Sequence, residues 1–187
     1  MEITSPDFRL ATERLILRPL VLSDAEDLFE YQSVAEVVTY IPWPQRTYEQ
    51  VVEALVKATA VSKLDYEGDF ALLGIVLPNE NKVIGQISLM YKSKENQTAE
   101  FGYVINPKYS GKGYATEASA AAIDYLFSTG KFRRVYAHLD IRNSASENLV
   151  KRLGLRKEAE FKEEEFFKGE WTDTMIYATL KNEWKNR

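Results

Sequence analysis

The reading of this chain turns on one stretch, Asn106-Pro107-Lys108-Tyr109-Ser110-Gly111-Lys112-Gly113-Tyr114-Ala115-Thr116-Glu117. It follows a β-rich run over 98–105 and opens a helical pattern over 114–127. Glycines at 111 and 113 let the backbone turn tightly and approach a ligand closely. The helix start behind them presents unpaired N–H groups and the positive end of the helix dipole. Together these predict a cradle for a phosphate group, with a plain tight turn as the bland alternative. The spacing is not that of a P-loop, and Thr116 stands where a dinucleotide fingerprint needs its third glycine, so a simple nucleotide site is disfavoured.

Upstream, two β-rich runs at 70–77 and 82–92 flank Pro78-Asn79-Glu80-Asn81, four residues of turn type, and predict a hairpin that 98–105 extends into a meander. Further back lies a strand over 15–20. Ser23-Asp24-Ala25-Glu26 reads as a capping box that starts a short helix through about Tyr31. A break at Pro42-Trp43-Pro44 precedes a second capping box, Thr47-Tyr48-Glu49-Gln50, and a helix to about Ser62 with Val51, Val52, Leu55 and Ala58 on one face. Downstream, helix and strand alternate: helix 114–127, strand 133–139, helix 144–153, then extended runs around Glu160 and Ile176. This order predicts an α+β domain with a mixed sheet and helices on its faces, and nothing within 1–187 marks a domain boundary. The alanines at 115, 118, 120, 121 and 122 suit either a tightly packed core helix or close approach to a ligand. Asn143 or Ser144 caps the helix that Gly154 ends. That cap also places Asn143 and Ser146 beside the cradle, so that two polar helix starts on neighbouring strands form a cleft.

Composition narrows the chemistry. The 187 residues carry a formal charge of −4, which disfavours nucleic acid as a partner. With no Cys and a single His, His138, thiolate nucleophiles and zinc fingers drop out and no metal is expected. The opening Met1 to Asp7 lacks the basic and apolar regions of a leader, and the longest apolar stretch, Phe70–Leu77, is too short to span a membrane, so a cytoplasmic protein is expected.

The run from Ser110 through Gly111-Lys112-Gly113-Tyr114-Ala115-Thr116-Glu117 to Ala118 resembles the acetyl-coenzyme A pyrophosphate loop of the GNAT superfamily of N-acetyltransferases. Asn143-x-x-Ser146, leading to Lys151-Arg152-Leu153-Gly154-Leu155, is similar to that family's second motif. Thr12-Glu13-Arg14-Leu15-Ile16-Leu17-Arg18-Pro19 with Asp24, and Met175 to Leu180 with Glu183-Trp184, resemble the RimJ/RimL-like branch, which acetylates N-termini of ribosomal proteins. The resemblance implies a mixed, strongly twisted sheet of about seven strands with about four helices, splayed between 98–105 and 133–139. Acetyl-coenzyme A would lie in the split as co-substrate, and the acceptor would be a primary amine: a protein N-terminus, a polyamine or a small metabolite. Its pantetheine arm would pair with the backbone of Val104 and Ile105, with Asn143 nearby. Its pyrophosphate would take N–H groups from Gly111, Lys112, Gly113, Tyr114 and Ala115, with Lys112 adding charge. Ser110 departs from the Gln or Arg usual in the family, which leaves only backbone contact there. A homodimer is the branch's habit.

Acetyl transfer from a thioester to an amine needs a neutral amine, a polarised carbonyl and a protonated leaving thiolate. Direct attack suits a chain without Cys. Glu100, on the strand bordering the split, is the expected base, against an ordinary exposed strand carboxylate. Ser146 is the expected acid, because no tyrosine lies between 143 and 155; Tyr103 and Glu117 rank behind it, Glu117 reading better as a first-turn carboxylate. His138 reads as structural. Glu158, Glu160, Glu163, Glu164 and Glu165 suit either cationic acceptors or a solvated strand edge. Tyr40, Trp43 and Tyr48 suit either a lid or loop packing. Two rivals remain: a non-catalytic acetyl-coenzyme A sensor, and a phosphonucleotide-binding domain that would leave the second motif unexplained.

Overall fold

The computed structural model describes Ile3, Ser5 and residues 7–185, so Met1, Glu2, Thr4 and Pro6 of the opening segment lie outside the described residues. Its strands are β1 (Leu10–Ala11), β2 (Ile16–Pro19), β3 (Phe70–Leu77), β4 (Lys82–Ser93), β5 (Thr98–Ile105), β6 (Arg134–Asp140), β7 (Arg156–Phe167) and β8 (Glu170–Leu180). Its helices are α1 (Ala25–Gln32), α2 (Tyr48–Val61), α3 (Tyr114–Ser128), α4 (Ser144–Arg152) and α5 (Lys181–Trp184). The order matches the sequence expectation, with the two-residue β1 and the four-residue α5 added at the flanks. Local rules hold where the chain is polar: Thr47 Oγ1 accepts from the Gln50 amide at 3.3 Å while Gln50 Oε1 accepts from the Thr47 amide at 3.0 Å, closing the box at the start of α2. The box expected at Ser23 does not form. A 3-10 turn over Leu22–Asp24 delays the helix, and Asp24 is drawn inward to accept the Val21 amide at 2.8 Å and both Arg18 guanidinium nitrogens at 2.7 Å.

The eight strands form one sheet in the order β1-β2-β3-β4-β5-β6-β8-β7. Every neighbouring pair is antiparallel except β5 with β6. That parallel pairing is short, covering Thr98 with Arg134, Ala99 with Val135 and Glu100 with Tyr136. Beyond Glu100 the two strands part, while β5 stays paired to β4 through Ile105 and β6 to β8 through Asp140. The sheet is split at its centre.

Alternation along each strand divides the core between two faces. Phe101, Leu73, Ile75 and Ile87 pack with Ala118, Ala122 and Ile123 of α3 and with Leu149 and Val150 of α4. On the other face, Val76, Val83 and Val104 pack with Leu28 and Tyr31 of α1 and with Val51 and Leu55 of α2. The alanines of α3 take the core reading, since Ala118 and Ala122 are fully buried one helical turn apart. Gly85 is the point where a side chain cannot be fitted: a Cβ there would meet the Val104 carbonyl oxygen at 2.4 Å, in the strand pair that flanks the split. Among the described residues no helix is long and apolar enough to cross a membrane. Leu73 is completely buried in β3. Leu73→Ala should lower stability by about 2–5 kcal/mol in urea titration, with the denaturant slope unchanged, because the rigid sheet cannot collapse into the void.

Candidate active site

The split opens a cavity of about 550 Å³, walled by Glu100 to Val104 of β5, by Ala137 to Asp140 of β6, by Asn143 and Ser146 of α4, and by α1, α2 and the loop between them. Past Glu100, β5 keeps a strand on one edge only. Its amide and carbonyl groups facing the split, those of Ile105 among them, therefore have no ladder partner there and are available to an extended ligand arm, whereas the Val104 carbonyl is directed at Gly85 of β4, so the backbone pairing expected at Val104 is not offered.

At the C-terminal end of β5 the cradle forms as expected. Gly111 and Gly113 take φ of +76° and +82°, a region open to glycine at little cost. Gly113 caps α3 without a side chain, and the first in-helix bond runs from the Glu117 amide to the Gly113 carbonyl, so the amides at Tyr114, Ala115 and Thr116 have no intrahelical acceptor. The Ser110 amide donates to the Pro107 carbonyl at 3.1 Å and is spent on the preceding 3-10 turn. The Lys112 ammonium lies 5.5 Å from the centre of the Tyr109 ring.

Arg14 and Glu117 hold this loop. Glu117 Oε1 accepts from the Thr12 hydroxyl at 2.5 Å and from the Arg14 amide at 2.9 Å, while Oε2 takes the Arg14 guanidinium at 2.7 Å. The other arm of that guanidinium donates to the Lys112 carbonyl at 2.9 Å, and the group stacks over the Tyr114 ring at 4.7 Å. Glu117 is thereby committed to bracing and is withdrawn from proton transfer. Arg14 stands in the segment that carries the branch resemblance, but its bracing role needs a partner 103 residues away.

Ser146 and Asn143 meet at the start of α4. Asn143 Oδ1 accepts the Ser146 amide at 3.0 Å, so the capping expectation holds, and both residues also line the cavity. Tyr103 of β5 donates its hydroxyl proton to Ser146 Oγ at 3.0 Å. Burial raises the Tyr103 phenol above its ordinary value, which keeps it a donor at neutral pH. Ser146 is left with its own O–H to donate.

Glu100 also lines the cavity and sits 3.2 Å from the exposed Lys92 ammonium. Burial, and then the Glu100 carboxylate it hydrogen-bonds, hold the Tyr136 phenol above its ordinary value. His138 lines the same cavity and is engaged by the acidic run: its Nε2 is 3.1 Å from Glu164 and its Nδ1 is 3.7 Å from Glu165. Most of the acidic run is consumed locally, Glu158 by Arg134 and Arg156, and Glu160 by Lys157 and Lys162. Only Glu165 of that run reaches the cavity wall. Tyr40 and Trp43 line the cavity, and their loop is tied down by Lys168, whose ammonium donates to the Val38 and Trp43 carbonyls. Tyr48 instead packs edge-on against Phe29 at 5.8 Å.

A buried polar group inside the cavity carries no motif. Gln86 Oε1 accepts from the Tyr31 hydroxyl and from Gln32 Nε2, both at 3.0 Å, and Gln32 Oε1 accepts from Arg46 at 2.7 Å. The sequence signal for it is Gln86 standing, with Ser88, inside the otherwise apolar stretch 83–91. Among the described residues no group of three or more His, Cys, Asp or Glu is placed to hold a metal ion.

The brace at the cradle makes stability depend on acid. Partial burial alone would raise the Glu117 pKa, but the Thr12 and Arg14 hydrogen bonds outweigh it and hold it below the usual carboxylate range. A carboxylate held low in the folded state contributes stability above its unfolded pKa and loses it as pH falls through the folded value. Glu117→Gln should therefore cost roughly 1–2 kcal/mol at pH 7, the ion pair being partly screened by solvent. Thermal melts of both proteins should converge as pH drops below about 4.

The model of the Acetyltransferase (GNAT) domain matches residues 14–156, which spans the brace, the cradle, the split and α4. Similar proteins include the uncharacterized N-acetyltransferase YnaD of Bacillus subtilis, 34% identical across 94% of this chain and 98% of its own length. The ribosomal protein uS5-alanine N-acetyltransferase of Escherichia coli is 30% identical across 96% of this chain and 94% of its own. Among solved structures, a GNAT-family acetyltransferase from Bacillus anthracis superposes with a TM-score of 0.83 at 32% identity, over 94% of this chain and 100% of that one. The split sheet, the glycine cradle and these matches agree: the chain is an N-acetyltransferase of the GNAT family, in its RimJ/RimL-like branch.

Proposed function

We propose that the protein moves the acetyl group of acetyl-coenzyme A to a primary amine by direct attack, with Glu100 as base and Ser146 as acid. The observation that carries this reading is the Tyr103–Ser146 hydrogen bond at 3.0 Å, on the wall of the split. Because the tyrosine donates, the serine proton is free to point into the cavity.

The residues present fit the co-substrate. The unpaired edge at Ile105 suits the amide-bearing pantetheine arm, Val104 adds its side chain to the cavity wall, and Asn143 stands on the opposite wall. The amides from Gly111 through Lys112, Gly113 and Tyr114 to Ala115, with the helix dipole behind them, suit a pyrophosphate. The Ser110 amide is spent on the Pro107 carbonyl, so the backbone contact expected at that position is not offered by its N–H. Acetyl-coenzyme A supplies an activated acyl group and a thiolate leaving group.

Glu100 then takes a proton from the acceptor ammonium, directly or through water, freeing the lone pair that forms the new C–N bond. As the C–S bond breaks, Ser146 donates its proton to the departing sulfur, the nitrogen of the new amide releases its second proton to water, and water returns a proton to Ser146 through the Tyr103 hydroxyl. No covalent enzyme intermediate is required. The relative that acetylates an alanine of ribosomal protein uS5 supports an amine acceptor.

The test joins calorimetric titration with acetyl-coenzyme A to free-thiol release against peptides, polyamines and amino metabolites. Ser146→Ala should lower turnover about 10²–10⁴-fold while leaving acetyl-coenzyme A binding intact; a loss below about tenfold removes the serine as acid. Glu100→Gln should abolish the acidic limb of the pH–rate profile, and an unchanged profile removes Glu100 as base.

A further inference from the structure

Arg46 is the cation that the rest of the cavity leaves without a counter-charge. It is half-buried on the cavity wall, and among the described residues no carboxylate pairs with it. Its contacts are neutral: Gln32 Oε1 at 2.7 Å, and the Trp43 ring, whose centre lies 4.8 Å from the guanidinium carbon. Arg18 on the adjoining strand shows the usual alternative, with two guanidinium nitrogens on Asp24 at 2.7 Å. The Arg46 pKa is lowered by burial, opposed only by the Tyr31 phenol. The indole N–H of Trp43 is likewise buried with no acceptor. One short loop thus brings two donors to the cavity and no anion to meet them.

The position is held firmly. The Arg46 amide donates to the Gln32 carbonyl at 3.1 Å, Gln45 Nε2 to the Ser33 carbonyl at 2.5 Å, and Lys168 clamps Trp43 from the β7–β8 hairpin. A half-buried guanidinium fixed in place, with most of its donors unspent, is arranged for a planar, two-oxygen anion.

That anion is not the pyrophosphate of the co-substrate. The cradle belongs to the α3 side of the sheet, whereas Arg46 reaches the α1–α2 side through Gln32 and Gln86. On this side the cavity is polar at both ends. Gln86 marks the Arg46 end, and Met90, paired with Glu100, marks the end that holds the base. Four residues of β4 separate these levels, about 13 Å at ~3.3 Å per residue. Between them lie apolar walls from Leu28, Ile41, Val51, Leu55 and Leu72.

We propose that the acceptor is an amine that also carries a carboxylate, its amino group directed to Glu100 and its carboxylate bound by Arg46. This rests on the acetyl-transfer reading above and narrows its acceptor class. The carboxylate belongs either to a small amino acid or to an acidic side chain near a peptide's N-terminus; the two sources share one chemistry and are separated by the test.

The experiment compares matched acceptors in thiol release and in calorimetry with coenzyme A present. The pairs are free α- and ω-amino acids against their primary amides, and peptides with Glu at the second or third residue against the same peptides with Gln. The acid of at least one pair should show a lower KM and tighter binding, on the order of 10–100-fold. Arg46→Gln should erase that difference while leaving the KM for acetyl-coenzyme A and the turnover of the neutral partner unchanged, and Arg46→Lys should keep part of it. Which pair responds names the source. Neutral partners binding as well as acids in both series would overturn the proposal while leaving acetyl transfer intact, and so would an Arg46→Gln effect seen only on acetyl-coenzyme A. Failure of the acetyl-transfer reading shows itself differently, as absence of acetyl-coenzyme A binding to the unaltered protein. Because the acid-versus-amide comparison is made first on that protein, the outcome does not depend on the variants folding.

Discussion

Everything functional in this molecule depends on where β5 and β6 stop pairing. Parallel strands are ordinarily bonded along their length because an unpaired backbone edge inside a protein is costly. Here the ladder ends at Glu100 and Tyr136, and each strand keeps its other neighbour. The sheet therefore survives the split, and β5 is left with one edge free of a ladder partner beyond Glu100. Glu100, Tyr103 and Ser146 all line the cavity along that opening.

The rest of the architecture keeps the opening in shape. Gly85 lets β4 approach β5 where any Cβ would strike the Val104 carbonyl. Arg14 and Glu117 tie the N-terminal strand region to the glycine loop through a carboxylate with three separate donors, so the loop's shape is fixed by the fold itself. Tyr103 and Ser146 bridge the split itself, joining β5 to the start of α4. On the opposite side, Lys168 fastens the Tyr40–Trp43 loop to the β7–β8 hairpin, which turns a proline-bounded segment into a cavity wall. These are polar contacts between elements far apart in the chain, and each holds a residue that the chemistry uses or that walls the site.

Electrostatics gives the cavity a direction. Glu100, Asp140 and Glu165 stand toward β6 and the hairpin, and Arg46 stands toward α1 and α2. Glu100 and Asp140 are offset by nearby cations, Lys92 and Arg142, and the Glu165 carboxylate lies 3.7 Å from the His138 ring. Among the described residues Arg46 has no such offset, so the charge lining the cavity is unevenly distributed.

The residues alone determined the element order, the hairpin at Pro78-Asn79-Glu80-Asn81, the box at Thr47, the glycine cradle and the cap at Asn143. These features depend on turn chemistry, alternation and capping, which act over a few residues and are written locally. The expected Ser23 cap failed for the opposite reason: Asp24 was recruited by Arg18 and by the Val21 amide, and a bidentate ion pair outweighs a hydroxyl cap. Tertiary structure alone decided that Glu117 braces the cradle, that the acidic run is mostly neutralised, that Tyr103 supports Ser146, and that Arg46 has no counter-ion. Each of those facts is a distance between side chains from different elements. A charge's role is set by which partner reaches it and how much water remains, and neither is encoded in its immediate neighbours along the chain.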